Sequence, residues 1–178
     1  MENSPVVKSK KNQLLDASTD MPTPIEGSVE LDIPIDILWE CFSKPNLWPR
    51  WNKCFFSAMN KETIAGKQLI WCFKPIKWYY LYLFPAMAKI VEVEKYKKVT
   101  WEVRILPGFF ARHTYFMEDL GQGKSRFGSW EKAYGPAFGL MKKFWIAHFE
   151  FVKNESLKGA IYLEKVYKEK GSLEKKYL

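Results

Sequence analysis

With 178 residues, 47% of them hydrophobic, the chain can build one buried core and not two once its unpatterned beginning is set aside. The formal net charge of +8 would suit nucleic acid or an anionic membrane, but the lysines gather at the ends, Lys8 to Lys11 and Lys165 to Lys176. A charge run of that kind is a solvated face, so no nucleic-acid partner is expected. Cys41, Cys54 and Cys72 form no CxxC pair and sit in apolar runs, which excludes a disulfide framework and predicts buried, reduced thiols.

No stretch approaches the ~20 apolar residues of a membrane span, and Met1 to Pro24 lacks the apolar core of a signal peptide. A cytoplasmic protein is expected. Residues 1–24 mix Ser, Pro, Lys, Asn and Thr without period, the mark of a disordered tail. Ile25 to Ile33 alternates loosely and reads as a strand, after which Pro34 opens a helix whose Ile35, Leu38, Trp39 and Phe42 share one face. Lys44-Pro45 ends it, and Asn46 to Asn52 allows only a short second helix.

Six strands are then predicted: Cys54 to Met59, Lys67 to Lys74, Met87 to Glu94, Lys98 to Ile105, Arg112 to Leu120 and Ser125 to Tyr134. From Ala137 to about Lys168, Met141, Phe144, Trp145, His148 and Val152 recur at helical spacing. Residues 169–178 read as a charged tail. The order predicts an α+β fold, a curved antiparallel sheet of six to seven strands wrapped around a long C-terminal helix, with two short helices after the first strand.

The Gly121-Gln122-Gly123 turn sets a register between its flanking strands. Centred on Gln122, it opposes His113 to Glu131, Tyr115 to Ser129 and Met117 to Phe127 on one face, and Glu118 to Arg126 on the other. In the preceding strand Val99, Trp101, Val103 and Ile105 are apolar while Thr100, Glu102 and Arg104 are polar, so the odd face points inward. Trp101, Val103, His113, Tyr115, Met117, Phe127, Ser129 and Glu131 then line an apolar wall with a few convergent polar groups, the make-up of a ligand pocket. The inner face of the long helix adds Met141, Phe144, Trp145 and His148. An aromatic content of 17%, about double the ordinary share, also suits a cavity wall.

Three stretches resemble the START-like superfamily (SRPBCC, helix-grip), in its polyketide cyclase/dehydrase-like branch: Val29 to Trp39, Asn46-Leu47-Trp48-Pro49-Arg50-Trp51-Asn52, and His113 through Leu120 continued by Trp130 to Pro136. The resemblance covers about Ile25 to Val166. It implies a deep cavity between sheet and C-terminal helix, used across the superfamily for lipids, sterols, polyketides, quinones and plant hormones. The aromatic connection Pro75 to Pro85 departs from the family pattern.

A buried carboxylate beside an imidazole can do acid/base work, so His113 and Glu131 are the candidate catalytic pair; the alternative is a satisfied polar pair that braces the sheet or orients a ligand. No metal or cofactor site is predicted: there are only two histidines, the Gly121 to Gly123 turn does not lead into a helix, and no nucleophile elbow occurs. Three readings follow. The protein carries a small hydrophobic molecule (a lipid, a quinone or a polyketide-like compound), or it is a cyclase or dehydratase using His113 and Glu131. In the third it transfers lipid at a membrane surface through Trp78 to Phe84.

Overall fold

The computed structural model describes residues 21, 23–74, 85–104, 107–173 and 177. The chain opens with β1 (Ile25–Leu31) and α1 (Ile35–Phe42), followed by a 3-10 turn (Pro45–Leu47) and α2 (Trp48–Trp51). Six strands come next: β2 (Phe55–Ala58), β3 (Gln68–Phe73), β4 (Pro85–Glu94), β5 (Lys98–Val103), β6 (Phe110–Gly121) and β7 (Lys124–Tyr134). Two helices, α3 (Pro136–Leu140) and α4 (Lys142–Lys170), end it. Among the described residues the strands form one antiparallel sheet in the order β1-β7-β6-β5-β4-β3-β2, curled as a half-barrel against α4. This is the α+β helix-grip architecture. The expected aromatic connection Trp78 to Phe84 lies outside the described residues, as does Ile105.

Register across the last hairpin follows the turn. His113 opposes Glu131, Tyr115 opposes Ser129, Met117 opposes Phe127 and Glu118 opposes Arg126. The tip itself is tighter than a three-residue turn: Gly121 pairs with Lys124 after a bulge at Asp119/Gly121, leaving Gln122 and Gly123 as its two central residues. Both have positive φ, 54° and 74°, the conformation a two-residue hairpin requires and glycine supplies without cost. Arg112 and Lys132, two cations, stand opposite one another on the outer face, and Arg112 turns to Glu102 on β5, with Nε 3.2 Å from Oε1, which offsets their repulsion. On the outer face Arg126 binds both Glu118 and Glu30, the latter at 2.7 Å.

The C-terminal helical pattern is one element in sequence and two in space. Gly139 weakens the first turns, Met141 leaves the helical region at φ −119°, and α4 starts afresh at Lys142. From there His148, Phe149, Val152, Ser156, Ala160, Leu163 and Val166 are buried, a three-four spacing held for almost the whole helix. The helix crosses β1 at Gly27, where an added Cβ would lie 3.2 Å from Leu157 and Lys153 side-chain carbons. Lys168 ties its far end to Asp32 and Glu164 at 2.6 and 2.9 Å, and Gly171, at φ 69°, caps it. No described helix is long and apolar enough to cross a membrane.

Candidate functional site

Between the inner face of the sheet and α4 lies a small chamber. Its wall comes from β3 (Trp71, Phe73), β5 (Trp101, Val103), β6 (Ala111, His113, Tyr115) and β7 (Glu131), faced by Trp145, His148, Phe149 and Val152 of α4. Phe55, Ala86 and Phe109 complete it. The cavity volume open to a water-sized sphere is about 30 Å³, room for about one water molecule. The rings themselves fill the space a ligand would take: Trp101 stacks on His113 at 4.6 Å between centroids, Phe73 meets His148 edge-on at 4.7 Å, and Phe109 packs on Trp145 at 4.5 Å.

One polar chain is buried in this aromatic wall. His113 Nδ1 lies 3.2 Å from Glu131 Oε2, and its Nε2 lies 3.1 Å from Ser129 Oγ. All three are buried, at 3%, 7% and 1% exposure for His113, Glu131 and Ser129. A carboxylate in such surroundings costs several kcal/mol unless it is paired, and the Nδ1–H of His113 supplies the pair. His113 and Glu131 face the chamber, whereas Ser129 sits behind the imidazole and is not part of the wall. The serine therefore fixes the ring's orientation and is not offered to a ligand as a nucleophile.

A second polar cluster locks the helix down. Ser156 Oγ donates to Val152 O at 2.7 Å and accepts from Asn52 Nδ2 at 2.9 Å. With its single proton committed, it accepts again from the Tyr115 hydroxyl at 2.6 Å. Asn52 Oδ1 in turn accepts the Cys54 N–H at 3.1 Å. The Trp48-Pro49-Arg50-Trp51-Asn52 segment thus acts as a bracket. Trp48 is fully buried with its indole N–H on Phe42 O at 2.8 Å, and the Trp51 carbonyl approaches Gly159 so closely that a Cβ there would stand 2.6 Å from it.

Burial sets the charge of the remaining groups. The His148 imidazole is pulled down to about 4, by desolvation first and by His113 second, and is neutral at pH 7. Burial pushes the Tyr115 phenol and the Cys54 thiol well up, so both keep their protons. Trp71 Nε1–H is buried without an acceptor among the described residues.

Of the residues expected from sequence, Trp101, Val103, His113, Tyr115, Glu131, Trp145 and His148 meet around the chamber. Met117 and Phe127 share the inner face but pack deeper, Phe127 at 5.2 Å from Phe42. Met141, at the break before α4, is 44% exposed, and Phe144 meets the Trp145 ring edge-on at 5.0 Å; neither is among the described residues that line the chamber. Sequence reasoning missed Trp71 and Phe73, although Leu69, Trp71 and Phe73 alternate on β3 as Trp101 and Val103 do on β5. Phe149 follows Trp145 at i+4, the signal that would have found it, and Val152, named on the helical stripe, was not carried into the wall. Nothing in the sequence links Asn52 to Ser156.

Neither a protein-family model nor a curated protein sequence matches the chain. Solved structures do. The Zhui aromatase/cyclase from a Streptomyces species superposes with a TM-score of 0.68 at 9% identity, over 84% of this chain and 98% of its own. Norcoclaurine synthase from Thalictrum flavum, in complex with dopamine and hydroxybenzaldehyde, gives 0.57 at 15% identity over 92% and 97%. A START superfamily protein from Mycobacterium smegmatis gives 0.58 at 10% identity over 79% and 99%. With the sheet order, the bracketing Trp-Pro-x-Trp-Asn segment and α4 in place, the chain has the START-like, helix-grip (SRPBCC) fold.

Proposed function

We propose that this protein binds a small hydrophobic molecule in the chamber between the sheet and α4, as a carrier or chaperone, with His113 and Glu131 at the ligand's polar end. The observation that carries the reading is the buried Glu131–His113–Ser129 chain in an aromatic wall. A core built only for stability gains by replacing such a group with a hydrocarbon of the same volume, so its presence there points to a ligand. Tyr115, whose proton is committed to Ser156, contributes its ring and not a donor.

With about 30 Å³ of free space, binding of such a molecule displaces aromatic side chains of the wall. Part of the binding energy therefore goes into opening. Melting curves with a panel of apolar aromatic compounds test the reading: ligands raise the melting temperature by mass action, worth about 2.7 kcal/mol at a hundredfold excess over Kd. If no apolar compound shifts the transition, the chamber is simply a packed core.

A second reading rests on the 3.2 Å contact between His113 Nδ1 and Glu131 Oε2 at the chamber wall. The pair then exchanges protons with a polyketide-like substrate in a cyclase or dehydratase reaction. His113→Ala would abolish turnover of the compound the protein carries while leaving its affinity within a few fold; unchanged turnover removes the catalytic role.

A further inference from the structure

The chamber's charge selects among hydrophobic ligands. Among the described residues no lysine or arginine lines it. His148 is neutral at pH 7 and the Tyr115 proton is spoken for, which leaves the His113–Glu131 pair as the only titratable pair in the wall among the described residues. The basic member of that pair is already held by Glu131, so the wall offers an incoming anion no free counter-charge, and placing a carboxylate or phosphate beside the Glu131 side chain in a low-dielectric space is unfavourable.

The same wall offers an acceptor. Only Oε2 of Glu131 is engaged by His113; its Oε1 accepts no hydrogen bond among the described residues, although the side chain is 7% exposed and lines the chamber. A carboxylate oxygen on the chamber wall that His113 does not engage can accept a ligand O–H or N–H in a charge-assisted bond. The faces of Trp71, Trp101 and Trp145 supply an apolar wall that also tolerates a cation. Trp71 Nε1–H, buried without an acceptor among the described residues, stands ready for a second polar atom on a larger ligand.

Resting on the binding reading above, we propose that the chamber takes an uncharged or cationic aromatic molecule bearing a hydroxyl or amine donor, which docks on the free oxygen of Glu131, and that it turns away carboxylates and phosphates. Fatty acids and acyl phosphates are thereby excluded as cargo, whereas phenols and arylalkyl amines fit.

Four probes sharing one tolyl body test this on the full chain by calorimetry at neutral pH: p-cresol, 4-methylbenzylamine, 4-methylanisole and 4-methylbenzoate. Cresol and the amine should bind, the anisole, which lacks a donor, at least about tenfold more weakly than cresol, and the benzoate about a hundredfold more weakly or not at all. In Glu131→Gln the amine should lose its affinity and the penalty on benzoate should shrink. The wild-type ranking decides on its own should that variant not fold. Benzoate or anisole binding as tightly as cresol overturns the proposal, as does an unchanged ranking in folded Glu131→Gln. If none of the four binds while other apolar compounds raise the melting temperature, this inference fails and the binding reading stands. If no apolar compound binds at all, both fail.

Discussion

Gly159 shows how a single position reports the packing of α4. In an exposed helix, replacing glycine by alanine gains about 1 kcal/mol. Here the new Cβ would stand 2.6 Å from the Trp51 carbonyl oxygen and 2.8 Å from its ring, so the bracket or the helix must move. Overpacking of that kind costs about 1–3 kcal/mol and outweighs the propensity gain. Gly159→Ala is therefore expected to lower the urea midpoint; a rise would mean that the bracket does not grip the helix there.

His148 gives stability a pH dependence of known sign. Its folded value of about 4 lies below the ordinary 6.5, so the neutral ring favours the folded state above pH 6.5. As pH falls from 6.5 toward 4 the unfolded chain takes up a proton that the folded one refuses, and about 3 kcal/mol is lost at ~1.4 kcal/mol per pH unit. Denaturation of wild type and His148→Leu across that window should show wild type falling relative to the variant; parallel curves would place the imidazole in contact with water. The cysteines give a simpler readout. Burial lifts Cys41 to about 12 and Cys54 well above the ordinary thiol value, while Cys72 is half-buried on the outer face. A maleimide reagent at pH 8 should modify Cys72 first and the other two only on unfolding; three equal rates would contradict their burial.

At the level of elements, Ser156 joins α4, the segment after α2 and β6 through one hydroxyl. Ser156→Ala strands the Asn52 amide and the Tyr115 hydroxyl in a dry interior, a loss of about 2 kcal/mol or more by equilibrium unfolding. Asn52→Ala combined with Ser156→Ala should cost less than the sum of the two, because they share one contact. Strict additivity would show the cluster to be incidental. This cluster was not legible in the sequence: 104 residues separate its ends, and each serine or asparagine read alone looks like a turn or cap residue. The register of β6 and β7 was legible, because one glycine turn and a period of two fix every pair between them. The break at Met141 was not, since the apolar spacing on either side continues through it in phase.

For the molecule as a whole, the alternation of β5, β6 and β7, the Trp48 to Asn52 bracket and the long amphipathic helix together specify the architecture before any coordinate is known. Each local pattern agrees with the same global arrangement. The chamber's size was beyond sequence reasoning. An inner wall rich in Trp, Tyr and Phe can enclose a ligand or fill the same volume with its own rings, and here the rings leave about 30 Å³. Residues such as Met141 and Phe144 follow the same rule: their type suits a pocket, but only the path of the chain decides whether they reach it.

The most direct test of the central claim, that the chamber opens for a small donor-bearing apolar molecule, is native mass spectrometry of the protein purified from its own source. Organic extraction then identifies what it carries. A discrete co-purifying compound of apolar body, without a carboxylate or phosphate, and lost in a variant that fills the chamber, such as Ala111→Phe, is the predicted result. A protein that arrives empty, and whose melting temperature no added apolar compound raises, would contradict the account and make the aromatic wall a core and nothing more.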